Sequence, residues 1–201
     1  MKNKLATIVS SILHPLLMPV YGTVSLLFMD YFYFYSVFQK LYIVLLVGTF
    51  TCLLPFSALW LLKKAGYISS FKVEPRKERH GVYVASLLSY LICIGKLWQF
   101  GVPAWVLSLI ISAFVAVLIL AVINVFWKIS IHAAAAGCLA GGTLFVAILL
   151  HVNLLWYLAL VILLGGGVMS ARLQLQAHSL PQVLTGYAVG LFFTAAFSFF
   201  L

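Results

Sequence analysis

Seven apolar stretches, at roughly 5–29, 41–62, 81–97, 102–126, 131–150, 154–169 and 180–201, leave little chain for anything else. About 20 apolar residues in a helix cross the hydrocarbon core of a bilayer. Inside lipid every backbone N–H and C=O must be satisfied within the protein, which a helix does by itself. The pattern therefore predicts an all-α fold, a polytopic transmembrane helical bundle of about six to seven spans. It forms one integral-membrane domain over 1–201. Composition agrees, because 65% of the 201 residues are hydrophobic and only 7% are charged. A soluble domain carries about 25% charged residues. A soluble enzyme, a secreted disulfide scaffold, a coiled coil and a disordered chain are all excluded on that ground. Pro15, Pro19 and Gly22 interrupt the first stretch and predict a kink or break in it. Its long apolar run, with no small-x-small end, argues against a cleaved signal.

The charge is lopsided, with 12 Lys and Arg against Asp30, Glu74 and Glu78. In a membrane chain such an excess suits anionic headgroups, a phosphorylated ligand or cytoplasmic loops, and not nucleic acid. The expected partners are membrane lipids, with no obligate protein partner implied. No carboxylate cluster is present to hold a hard cation, so neither metal nor cofactor is expected. Cys52, Cys93 and Cys138 are odd in number, lie in apolar stretches and read as small core residues.

Nearly all the polar chemistry falls in three connections, 63–80, 127–132 and 170–182. Two stretches separate each from the next, so all three emerge on one membrane face. Together they supply Lys72, Arg79 and Arg172 as cations, His132 and His178 as imidazoles, and Ser130 as a hydroxyl. Guanidinium and ammonium groups at a membrane surface suit a phosphate. Two imidazoles suit a two-step transfer, one attacking phosphorus and the other protonating the leaving oxygen. Ser130 and His132 open the fifth stretch, where a helix N-terminus adds free N–H groups.

These residues resemble a family. The type-2 phosphatidic acid phosphatases, or lipid phosphate phosphatases, carry the motifs KxxxxxxRP, PSGH and SRxxxxxHxxxD. This chain reads Lys72-x6-Arg79-His80, Ile129-Ser130-Ile131-His132 and Ala171-Arg172-x5-His178-x3-Gln182, in the same order and with the same internal spacing. The resemblance spans 72–182 and marks the chain as a divergent member. It implies that His178 is the nucleophile and forms a phospho-histidine. It implies that His132 is the general acid, and that Lys72, Arg79, Ser130 and Arg172 hold the phosphoryl oxygens without a metal. Gln182 stands where the family has an aspartate that orients the nucleophilic histidine. Its carbonyl can accept from the imidazole but brings no negative charge. His80, Ile129, Ile131 and Ala171 replace smaller features of the motifs.

Other features read as structural. His14 and His151 lie outside the three connections and are expected to pack helices by hydrogen bonding. Trp60, Trp98, Trp105, Trp127 and Trp156 fall near stretch ends as interfacial anchors. The small residues of 133–142 predict close helix packing, and 165–167 a close approach or a break. Lys2, Lys4, Lys63, Lys64, Arg76, Lys77 and Lys128 lie on the site side, against Lys40 and Lys96 opposite. The positive-inside rule then favours a cytoplasmic site, whereas many members of the resembled family act on the outer face. Two functions stay open: hydrolysis of a lipid phosphate or polyprenyl diphosphate, or binding or transport of a phosphorylated lipid by a weak or inactive relative. Either protein would be integral to the cell membrane and multi-pass.

Overall fold

The computed structural model describes residues 2–71, 73 and 75–200. Among the described residues, six helical stretches are long and apolar enough to cross a membrane: Val37–Lys64, Arg76–Phe100, Ala104–Phe126, Ile131–Leu149, Leu155–Gln174 and Leu180–Phe200. Large apolar side chains such as Phe126, Leu163 and Trp98 are 73–80% exposed. Such a surface is untenable in water and ordinary in hydrocarbon. The chain is a polytopic helical membrane protein.

The first apolar stretch breaks where its prolines predict. It forms α1 (Lys2–Ile12) and α2 (Met18–Leu27), joined by a short connection containing His14 and Pro15. α1 packs along α8 (Leu155–Gln174), and α2 lies against α3 (Val37–Gly48) and α7 (Ile131–Leu149). α3 runs through a π-helical turn at Thr49–Leu53 into α4 (Leu54–Lys64) as one span. Pro55 explains the turn. In the i→i−5 pattern its missing N–H would have met the Phe50 carbonyl, and that carbonyl instead accepts the Ser89 hydroxyl of α5 (Arg79–Phe100). A neighbouring helix thus satisfies the backbone group that the proline leaves open.

The most extensive helix pair is α7 with α9 (Leu180–Ala195). Both carry glycines four residues apart, Gly137 and Gly141 on α7, Gly186 and Gly190 on α9. A Cβ on Gly190 would sit 1.9 Å from the Ala134 carbonyl oxygen, and one on Gly137 2.1 Å from that of Tyr187. The two backbones therefore touch, as small-xxx-small pairs allow. The expectation of close packing from 133–142 holds, and α9 supplies its counterpart. Half of the α7 span is buried, against 22–33% for the other five, so α7 is the central helix.

Packing departs from the sequence reading elsewhere. Trp60, Trp98, Trp127 and Trp156 are exposed enough to anchor at an interface, but Trp105 turns inward against Tyr31 and Phe32. His151 is exposed in the turn between α7 and α8, at φ 52°, and packs no helices. Helices also outrun the apolar stretches. α8 continues to Gln174, so Arg172 belongs to its last turn and not to a loop, where a cation favours the negative end of the helix dipole. The hydrophobic run marked the extent of lipid contact, whereas hydrogen bonding carried the helix further.

Candidate functional site

At one end of the bundle, α5, α7, α8 and α9 bring Arg79, His132, Arg172 and His178 onto the wall of a single cavity of about 470 Å³. The three-connection parity predicted this gathering. Lys72 falls outside the described residues.

α9 fixes the first histidine. His178 is buried and precedes the α9 N-cap, Ser179. Its Nδ1 lies 3.0 Å from Gln182 Oε1, and the same oxygen accepts the Ser179 backbone N–H at 3.2 Å. An N–H can donate only to an oxygen here, so the amide orientation is set, and His178 Nδ1 must carry the proton. The neutral ring therefore holds its lone pair on Nε2. Gln182 accordingly has two tasks: it caps α9 and selects the tautomer of His178. Burial, with the Arg79 guanidinium nearby, pushes the His178 imidazole down to about 3, while the Gln182 hydrogen bond works in the other direction. The ring is neutral throughout the physiological range.

The second histidine is placed by the α7–α9 seam. Ser130 is the N-cap of α7, accepting the Ala133 N–H at 3.4 Å, and its own backbone N–H donates to the Gln182 carbonyl at 3.2 Å. A Cβ on Gly186 would come within 2.6 Å of the Ser130 carbonyl oxygen. The absence of that Cβ lets the start of α7 close on the start of α9. The Ser130 side chain, expected among the phosphate ligands, is instead fully buried as a helix cap, and the cavity wall continues at Ile131 and His132. The cap uses a lone pair of the hydroxyl, whose O–H remains a donor.

The arginines are built into the scaffold. Arg79, buried at the start of α5, donates from Nε to the Val73 carbonyl at 3.0 Å and from Nη1 to that of Ile129 at 2.9 Å. It clamps the first connection to the second. Val73 sits at φ 45°, a strained position for a β-branched residue, and its carbonyl is one that Arg79 holds. Arg172 donates from Nη1 to Ser10 Oγ on α1 at 3.0 Å.

Three contributors were not legible as site residues. Ser10 anchors Arg172. Lys128, assigned to topology, adds its charge beside His178. His14, expected to pack helices, instead lines the cavity and sets its ring edge-to-face on His132, centroids 5.2 Å apart. The available signal was position: an ionisable residue at a proline break in an apolar stretch is a functional candidate by default. Beyond these groups the cavity runs between α2, α6 (Ala104–Phe126) and α7 past Leu26, Leu109 and Ala113 to Val146. From His132 to Val146 along α7 is about 21 Å, well into a hydrocarbon core of about 30 Å. The result is a cationic, imidazole-rich mouth on an apolar shaft.

Comparison of the chain with protein-family models, with curated proteins and with solved structures finds no match.

Proposed function

We propose that this chain is an integral-membrane lipid phosphatase of the type-2 phosphatidic acid phosphatase kind. It would hydrolyse a lipid phosphate or polyprenyl diphosphate through a phospho-histidine. The carrying observation is the state of His178, which is neutral, with its lone pair assigned to Nε2, in a cavity that also presents Arg79, Arg172 and a second imidazole. In the reaction, His178 Nε2 attacks phosphorus, and the bond from phosphorus to the leaving oxygen breaks. His132, protonated when the phosphoryl charge is bound beside it, gives that proton to the leaving oxygen and becomes neutral. Water then attacks the phospho-histidine, His132 takes the water proton, and inorganic phosphate leaves. Arg79 and Arg172 face the phosphoryl charge with guanidinium groups, whose planar donors match phosphate oxygens. The apolar shaft receives the lipid. The protein works as a multi-pass component of the cell membrane.

The test is phosphate release from a panel of lipid phosphates by the purified protein in detergent with EDTA. Release that vanadate blocks is the expected result, and no release from any member would sink the proposal. The uncharged Gln182 favours a second reading, a relative that binds or moves a phosphorylated lipid. In that case the panel would show saturable binding with no release.

A further inference from the structure

His14 belongs to none of the three connections, yet it shares their cavity. Its chemistry is set by its own backbone. The Leu16 N–H donates to His14 Nδ1 at 3.3 Å, so that nitrogen is an acceptor, and the neutral ring carries its proton on Nε2. Burial, with the charge of Arg172, lowers its pKa and keeps the ring neutral. His14 is thus the opposite tautomer to His178. It offers an N–H where His178 offers a lone pair, so it fits an anion and not an electrophile.

Its place in the site is equally particular. The charged neighbours of His178 are Arg79, Arg172 and Lys128. His132 has Arg172, His14, His178 and Arg79 as its neighbours, and His14 has Arg172. The edge-to-face contact puts His14 directly against His132. The histidines therefore run from His178, beside Arg79 and Lys128, through His132 to His14, and Arg172, fastened by Ser10 of α1, neighbours all three. On the reading of His178 as nucleophile and His132 as acid, the leaving group departs past His132, toward His14. An alkoxide on an apolar chain has no use for a second donor there. A leaving group that is itself a phosphate does.

Resting on that phosphatase reading, we infer that His14 donates from Nε2–H to the non-transferred phosphate of a diphosphate ester. It thereby makes the site prefer a diphosphate to a monophosphate. The first apolar stretch is then part of the site through Ser10 and His14, although no motif in the sequence marks it.

The experiment measures binding of pyrophosphate and of inorganic phosphate to the full-length protein in detergent by calorimetry. It compares wild type with His14→Phe and His14→Gln. Phe keeps the ring contact with His132 and loses the donor, whereas Gln restores an N–H. A hydrogen bond to a charged group is commonly worth enough that its loss weakens binding about tenfold or more. The expected result is that His14→Phe weakens pyrophosphate binding by about tenfold or more. Phosphate binding should change far less, and His14→Gln should recover most of the loss. Unchanged pyrophosphate binding in His14→Phe, equal weakening of both anions, or no pyrophosphate binding by wild type would each overturn the assignment. If pyrophosphate binds in a His14-dependent way but no lipid phosphate is turned over, the phosphatase reading falls while the His14 assignment stands.

Discussion

The two sides of α7 are packed in opposite ways. Against α9 the helix leaves no room for even a methyl group at Gly137, Gly141, Gly186 or Gly190. Toward α2 and α6 it borders a cavity of about 470 Å³. The tight side positions the two histidines, because the seam fixes Ser130 on Gln182 and therefore His132 relative to His178. The open side is lined by apolar residues, and on the proposed function it would take the lipid chain. Rigidity and space fall on different faces of one helix, so the histidines can be held firmly while the cavity beside them stays open.

Breaking the tight side should have the largest effect. Gly190→Ala puts a methyl into the Ala134 carbonyl, and backbone cannot move aside as a flexible side chain can. The expected cost is about 3 kcal/mol or more, read as a lowered thermal transition in detergent. Gly166→Ala, where nothing lies within 4 Å, should leave the transition in place. Equal transitions for both variants would show that the seam can part and does not set the site.

On the proposed function, removing the His178 imidazole leaves the seam intact and should abolish turnover. His178→Ala is expected to lower kcat by on the order of 10³–10⁶-fold and to prevent any acid-labile phospho-enzyme. His132→Ala should cost about 10²–10⁴-fold, most for substrates with poor alkoxide leaving groups. Near-normal release by His178→Ala, measured on one lipid phosphate, would remove His178 from the chemistry.

Filling the open side should change which substrates are accepted. Ala113 lines the shaft on α6, and Ala113→Phe should raise KM for a long-chain lipid phosphate by about tenfold. A short-chain, water-soluble analogue should be much less affected. Equal effects on both would mean that the chain does not enter the shaft.

The smallest effect concerns the partner of His178. Gln182 must reach both Ser179 N–H and His178 Nδ1, so the isosteric carboxylate is Gln182→Glu, with Gln182→Asp one methylene short. A negative charge beside the imidazole stabilises its protonated form and raises its pKa from about 3. The attacking ring must be neutral, so as pH falls the Glu form loses activity at a higher pH than wild type. Near neutral pH the carboxylate stabilises the charge that develops on the ring during attack and should raise turnover severalfold. Paired pH–rate profiles test this, and superimposable profiles would show that Gln182 does not orient His178.

The sequence by itself determined the medium, the helical class and the meeting of the polar connections on one shared face. Those properties follow from span length and parity, which are local sums over residues. Pro15 and Pro19 fixed the break between α1 and α2, whereas the turn before Pro55, completed by the Ser89 hydroxyl, came from the structure. His178 and Gln182 could be paired from their spacing of four, because one helical turn is a local geometry. Ser130, His14 and Ser10 could not be read in the same way. The Ser130 hydroxyl could cap a helix or meet a ligand, and only the closure of α7 on α9 showed that it is buried as the α7 cap. His14 is more than a hundred residues from His132, and Ser10 is 162 from Arg172. What brought them together was the packing of α1 on α8 and of α2 on α7, a matter of shape between distant helices that no spacing along the chain encodes.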